Sequence, residues 1–172
     1  MKSEGEIRIY VACLAAYNNG YLHGQWIDAS LGEDAIWDGI RQVLKTSPIP
    51  EAEEWAIHDH EGFEGLDISE YEGIESVCEK AAFIEEHGSL GAELAAHYGG
   101  DLEEAITALN DHYAGQYSSL AEFAEELTEQ TTQIPDSLQY YIDYERMGRD
   151  LEINDLLVIR LGYDELHVFW SY

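Results

Sequence analysis

IRIYVACLAAYNNGYLHGQWIDA, residues 7–29, contains two apolar and aromatic runs on either side of Asn18-Asn19-Gly20. An Asn-Gly pair between such runs is a strong signal for a β-hairpin, because these residues tolerate the positive φ angles of a tight turn. We therefore predict that residues 7–17 and 21–29 form two antiparallel strands that open the fold.

The next two segments extend this beginning into a small sheet with a helix on it. Apolar residues recur at helical spacing from Asp34 to Leu44, and Pro48 and Pro50 end that helix. Residues 54–60, EWAIHDH, favour a third strand.

The middle of the chain is predicted to be helical. One helix passes through residues 71–86, a second begins at Asp101 with Glu104 as a capping partner, and a third begins at Ser119 with Glu122 in the same role. The apolar sides of these helices are, in order, Tyr71, Ile74, Val77, Cys78 and Ala81; Leu102, Ala105, Ile106 and Leu109; and Leu120, Phe123, Ala124 and Leu127.

The C-terminal part combines a helix with a hairpin. Residues 137–153, SLQYYIDYERMGRDLEI, are predicted to start as a helix that is broken near Gly148. Residues 156–170 form two strand-like runs about Gly162, which is typical of a hairpin. The predicted class is α+β, with sheet at both ends and helices between.

The charge of the chain is the main clue to its function. Among 172 residues there are 36 Asp and Glu against 8 Lys and Arg, a formal net charge of -28. The excess is concentrated in the middle, since residues 81–145 contain no Lys or Arg. A disordered acidic tail is excluded by 12 Tyr, 4 Trp and 4 Phe, which are far too many aromatic residues for a solvated chain.

Acidic residues form continuous faces on the predicted helices and lie on the third strand. Like charges at i, i+4 each cost a helix roughly 0.2 to 0.5 kcal/mol, so stability alone would favour lysines among them. A solvated surface and adaptation to high salt are alternative explanations, but neither requires so long a run without a base. We predict an acidic interaction surface formed by Asp59, Glu61, Glu72, Glu75, Glu79, Glu86, Glu103, Glu104, Glu122, Glu125, Glu126 and Glu129.

This charge argues against direct binding to nucleic acid. Duplex DNA carries one charge per about 1.7 Å of axis, so a net charge of -28 corresponds to about 48 Å of duplex. The expected partner is the basic cleft of a DNA-binding protein, which would release its bound anions as it does when it binds DNA.

HDHEGFEG, residues 58–65, is a candidate metal site. A His-x-His pair needs a third ligand, and strand alternation places Asp59 and Glu61 on the face opposite His58 and His60. We therefore assign no metal and no cofactor. The sequence contains no calcium loop, phosphate-binding glycine loop, nucleophile elbow or HExxH motif, and we predict that the protein is not an enzyme.

Three stretches carry a resemblance to a known family: YNNGYLHGQW (17–26), EEWAIHDHEGF (53–63) and LQYYIDYERMGRDLE (138–152). In order and separation they resemble the ArdA antirestriction proteins over nearly the whole chain. The resemblance implies a DNA mimic carried by mobile genetic elements, an elongated homodimer that occupies the DNA site of type I restriction-modification enzymes. It implies three small domains per chain, at residues 1–65, 66–112 and 113–172, the first with sheet and helix, the second acidic and helical, the third α+β with a dimerisation segment.

By the same resemblance, the family's antirestriction motif lies at or near the dimer interface. The residues assigned to it are Leu138, Tyr141, Ile142, Asp143, Tyr144, Gly148, Arg149, Asp150 and Leu151. Arg146 and Arg149 are expected to pair with Asp143 or Asp150, within the chain or across the dimer.

The function that the resemblance implies is inhibition of a type I restriction-modification enzyme through its methyltransferase core and DNA-binding subunit. Restriction is expected to be inhibited, and modification is a second candidate. The alternative is an acidic module that binds another basic protein, such as a transcription or recombination factor. No signal peptide and no apolar run long enough for a membrane span is evident, so a cytoplasmic location is expected.

Overall fold

Antiparallel sheets lie near both ends of the chain with helices between them, as a computed structural model of residues 6–171 shows. This arrangement confirms the α+β class. The strands are β1 (Arg8–Cys13), β2 (Gly24–Asp28), β3 (Trp55–Glu61), β4 (Tyr113–Tyr117), β5 (Leu156–Gly162) and β6 (Glu165–Trp170). The α-helices are α1 (Leu14–Asn18), α2 (Glu33–Lys45), α3 (Ile74–His97), α4 (Leu102–Thr107), α5 (Leu120–Thr131) and α6 (Tyr144–Asn154).

The chain forms two compact units, one ending at Leu102 and the other beginning at Glu103. The division into three domains at residues 65 and 112 stays a prediction. Among residues 6–171, no helix is both long enough and apolar enough to cross a bilayer.

The first unit is built on a three-stranded sheet in the order β2-β1-β3, with α2 packed on one face. The strands supply Ile9 and Val11 to the core, and α2 supplies Ile36, Ile40 and Val43, all fully buried. The predicted helix and the predicted third strand are confirmed. The apolar residues of α2 recur with the period of a helix, so one face of it is buried.

The connection between β1 and β2 is longer than predicted. Residues Leu14–Asn18 form helix α1 instead of continuing the strand. The prediction that the two strands are joined by a tight hairpin turn at Asn18-Asn19-Gly20 is therefore wrong. Burial explains the difference, because the helix places Ala16 in a cluster with Cys13 and Val43. The antiparallel pairing of β1 with β2 is confirmed.

Helix α3 begins at Ile74, later than the predicted apolar stripe. Ile74, Val77 and Ala81 are buried as expected, whereas Tyr71 precedes the helix and is exposed, so its assignment to the stripe is wrong. The helix changes direction at Gly88, whose φ of 64° and ψ of -156° interrupt the helical backbone. A glycine adopts these angles without the steric cost that a side chain would bring.

The second unit contains a sheet in the order β4-β6-β5, with α5 and α6 packed together. Its core includes Phe123, Leu156 and Val168. The terminal hairpin about Gly162 is confirmed by the pairing of β5 with β6. Strand β4 was not predicted, because the short segment YAGQY contains a glycine and lacks a clear alternation of apolar residues.

Two predictions about the helices before and after β4 need correction. Helix α4 is short and passes into a π-helical turn at Ala108–His112, which leaves Ile106 exposed rather than in the core. At the start of α5, Ser119 Oγ accepts a hydrogen bond from Glu122 N at 3.1 Å, as predicted. The Glu122 carboxylate accepts from Ser118 N at 3.0 Å instead of returning to the Ser119 backbone.

Helix α6 starts later than predicted and is not broken at Gly148. Asp143 caps it, with Oδ1 accepting from Arg146 N at 3.0 Å, and Leu138 lies in a separate 3-10 turn. Gly148 is buried inside the helix. Because Gly148 has no side chain, α5 can approach α6 closely. In the sequence, a glycine with this packing role cannot be told apart from one that breaks a helix.

Candidate acidic interaction surface and dimerisation segment

Helix α5 presents an uninterrupted acidic face to solvent. Its buried side carries Phe123 and Ala124, and Ser119 fixes its first turn. The glutamates predicted for the opposite side are all exposed, namely Glu122, Glu125, Glu126 and Glu129. Among residues 6–171, none of them is within ion-pair distance of a basic side chain.

The negative charge of this face affects its tyrosine neighbours. Burial raises the pKa of Tyr144, at the start of α6, and the charges of Glu125 and Glu129 raise it further. Burial also raises the pKa of Tyr117, and its hydrogen bond to Glu126 raises that pKa further. Within the second unit, the acidic face of α5 therefore lies beside the first residue of α6.

Of the four acidic residues predicted on and just before α3, three are exposed and one is not. Glu75, Glu79 and Glu86 are exposed to solvent. Glu72, just before the helix, forms an ion pair with Lys80 at 3.0 Å, and only 11% and 14% of the two side chains are accessible. The Glu72 carboxylate also accepts hydrogen bonds from Ser69 N and Ser76 Oγ, each at 3.2 Å. Glu72 thus stabilises the start of α3 and contributes little to the acidic surface.

The acidic residues of β3 differ in the same way. Glu61 pairs with Arg8 at 2.6 Å, and the Arg8 guanidinium also lies 4.5 Å from the ring centre of Trp26. Asp59 is exposed, and its carboxylate accepts a hydrogen bond from His60 N at 2.8 Å. Only Asp59 of this pair adds uncompensated charge to the surface.

The histidines of HDHEGFEG contact different neighbours. Ile57 pairs with Val11 and Asp59 with Tyr10, so His58 is the extra residue of a β-bulge. His58 packs edge-on against Tyr17 with ring centres 4.9 Å apart, whereas His60 packs against Phe63 at 5.8 Å. In the described part of the chain, no group of three His, Cys, Asp or Glu side chains is placed to hold a metal.

Helix α4 carries the last two predicted acidic residues, Glu103 and Glu104, which are both exposed in its first turn. The structure also exposes Glu85 on α3 and Glu145 on α6, which the helical patterns did not select. No sequence signal separates them from other acidic residues, because exposure of a helix edge depends on what packs beside it.

The predicted dimerisation segment, residues 138–151, is largely exposed before and at the start of α6. Leu138 is exposed, and Tyr140 and Tyr141 have 88% and 83% of their surface accessible. Ile142, Tyr144 and Leu151 are partly buried, Gly148 is buried, and Asp143, Arg149 and Asp150 are exposed. Adjacent exposed tyrosines are an unusual feature of a free surface and common in protein interfaces.

The two arginines of this segment have no intrachain ion pair among residues 6–171. Arg146 and Arg149 are exposed, and the contact between Arg146 and Asp143 involves the Arg146 backbone N–H only. The structure therefore does not support pairing within the chain. An open groove of about 350 Å³ runs along this helix, lined by Arg146, Met147, Asp150 and Leu151 among others.

The sequence of this chain matches the profile of a known protein family. The profile described as antirestriction protein (ArdA) matches residues 9–165, nearly the whole sequence. Comparison with individual curated proteins gave no match. The matched range includes all of β1 except Arg8, the acidic helices and residues 138–151. The chain belongs to the ArdA family of antirestriction proteins.

Proposed function

We propose that the protein is a non-enzymatic DNA mimic that occupies the DNA-binding site of a type I restriction-modification enzyme. The observation that carries this proposal is the acidic face of α5. Its glutamates are exposed, lack basic partners among residues 6–171 and are held on a helix whose opposite side is in the core. A rigid array of carboxylates can replace phosphates without first becoming ordered.

The mean charge density along this face is close to that of one nucleic acid strand. Glu122 and Glu129 are separated by seven residues, or about 10.5 Å along a helix that rises about 1.5 Å per residue. Four charges over this distance give one charge per about 3.5 Å, close to the roughly 3.4 Å of one DNA strand. A basic cleft that releases anions on binding DNA would release them on binding this surface.

We further propose that residues 138–151 join two copies of the chain. Two exposed tyrosines, and two arginines that have no carboxylate partner among residues 6–171, support this assignment. Each arginine could then pair with a carboxylate of the other copy, such as Asp150. A homodimer would present two acidic faces to one enzyme.

Competition with DNA tests the proposal directly. The protein is titrated against the methyltransferase core of a type I enzyme bound to labelled target duplex, at two salt concentrations and with chelator present. Displacement near stoichiometric protein that weakens at the higher salt supports the mimic. No displacement at either salt would contradict it and favour an acidic module with another basic partner. Parallel restriction and methylation assays show which activity is inhibited.

A further inference from the structure

A second contact site lies in the first unit, on residues that belong neither to the predicted acidic surface nor to the dimerisation segment. Leu14, Glu53, Glu54, Trp55 and Tyr71 line an open cavity of about 440 Å³, here called the Trp55 pocket. It combines two aromatic rings, an aliphatic side chain and two carboxylates. Tyr71 and the two glutamates are exposed, while Leu14 and Trp55 are half-buried.

Three segments of the chain build this pocket. Trp55 is the first residue of β3, and its ring lies edge-on to Trp37 of α2 with ring centres 5.7 Å apart. Leu14 N donates a hydrogen bond to Glu54 O at 3.0 Å, which holds α1 against the residues before β3. The segment before Tyr71 is held by a hydrogen bond from Ile57 N to Glu70 O at 2.9 Å.

The lining defines the chemistry of a ligand. Glu53 and Glu54 have no ion pair with any residue between 6 and 171, so their charges are uncompensated there. A cation beside indole and phenol rings is attracted by the rings as well as by the carboxylates. Arginine suits this pocket better than lysine, because a planar guanidinium both stacks on a ring and donates two hydrogen bonds to a carboxylate. An anion would be repelled.

We propose that the Trp55 pocket binds an arginine side chain on the basic partner of this protein. The identity of that partner rests on the proposed function, whereas guanidinium binding by the pocket does not. A duplex phosphate backbone offers no equivalent of an aromatic pocket. This contact would therefore distinguish the protein from DNA on the surface of the enzyme.

The experiment compares two probes by NMR on the full-length protein. Nα-acetyl-arginine amide carries the guanidinium, and Nα-acetyl-citrulline amide is nearly the same shape without the charge. We expect the arginine probe to shift the indole N–H resonance of Trp55 in a saturable way, and the citrulline probe to leave it in place. The indole resonances of Trp26 and Trp170 serve as internal references, whereas Trp37 contacts the Trp55 ring and is left out.

Matched variants locate the effect. Glu53→Gln with Glu54→Gln should weaken binding of the arginine probe roughly threefold to tenfold, the range expected for exposed cation contacts. Glu64→Gln with Asp67→Asn removes the same charge from exposed positions of the same unit and should leave binding unchanged. If both probes shift the resonance equally, or if both double variants weaken binding of the arginine probe equally, the proposal that the Trp55 pocket binds a guanidinium group is overturned.

The same variants separate this inference from the proposed function. If the Glu53/Glu54 variant loses affinity for the methyltransferase core and the control variant does not, the pocket contacts the enzyme. If both displace DNA like the unchanged protein, the contact with the partner is overturned while the DNA mimic stands. If the unchanged protein binds the arginine probe but displaces no DNA, the proposed function fails and the pocket's affinity for guanidinium remains.

Discussion

Gly148 of α6 lies directly against Leu120 of α5: a Cβ atom at Gly148 would lie 2.9 Å from the backbone C, the backbone O and the Cβ of Leu120. This contact sets how closely the two helices approach within the second unit. It also explains how a glycine occurs inside a helix, where it is normally unfavourable. The close approach places the acidic face of α5 next to residues 138–151.

Gly148→Ala should destabilise the second unit. The added methyl group meets backbone atoms that cannot rotate away, so the helices must separate, at a cost of about 1–3 kcal/mol. Denaturant unfolding measures this cost. Gly162→Ala is the control, because its added Cβ meets only an ordinary contact at 3.8 Å. Equal stability of the Gly148 variant and the control would contradict the packing role.

Glu72→Gln should destabilise the first unit more than Glu75→Gln. Replacing Glu72 leaves the Lys80 ammonium largely buried without its carboxylate, which should cost about 1–3 kcal/mol of the free energy of unfolding. Glu75 is exposed in the first turn of α3, so replacing it should lower the free energy of unfolding by only a fraction of that amount. Urea unfolding of both variants provides the comparison, and equal costs would contradict a structural role for Glu72.

Neutralising the acidic face of α5 should weaken binding to the methyltransferase core without unfolding the protein. The variant carries glutamine at Glu122, Glu125, Glu126 and Glu129. If each carboxylate replaces a phosphate, the slope of log affinity against log salt should fall by roughly one per charge removed. Glu125→Gln alone should have a small effect, because the attraction is distributed. Unchanged inhibition by the quadruple variant would exclude this face from the interaction.

Charge reversal at Arg149 should loosen the proposed dimer. Arg149→Glu removes the suggested pairing across the interface and adds a like charge to an already acidic chain. Sedimentation velocity at several concentrations measures the change in association. Arg41→Glu is the control, because Arg41 pairs with Asp38 on the exposed side of α2. Identical profiles for the unchanged protein and the Arg149 variant would remove residue 149 from the interface.

The capping interaction at the start of α5 should be visible in a pH titration. Hydrogen bonds from the Ser118 side chain and backbone lower the pKa of Glu122 below its ordinary value of 4.5. A lowered pKa in the folded state means that this carboxylate adds stability above its unfolded pKa and loses it as the pH falls through the folded pKa. Ser118→Ala should raise the pKa of Glu122 towards 4.5, as measured by carboxyl NMR.

Ser89→Ala is the control for that titration, since Ser89 lies exposed on α3. It should leave the titration of Glu122 unchanged. An unchanged titration in the Ser118 variant would show that the hydrogen bonds from Ser118 do not set this pKa.

Elements with a complete local signal could be predicted from the sequence. Helix α2 has an amphipathic period and nearby prolines, α5 has Ser119 at its cap, and the terminal hairpin has two apolar runs about Gly162. Elements that depend on distant partners could not be predicted. Helix α1 forms where Ala16 reaches the core near Val43, and β4 exists because it pairs with β6.

The sequence by itself determined the negative charge of this protein, its concentration in the middle of the chain and the acidic side of α5, because composition and helical period are local properties. Only the tertiary structure decided which carboxylates carry uncompensated charge. Glu61 is paired with Arg8, 53 residues away, and Glu72 is enclosed with Lys80, whereas the α5 glutamates have no basic partner among residues 6–171. An ion pair requires two side chains within a few ångströms, and packing sets that distance.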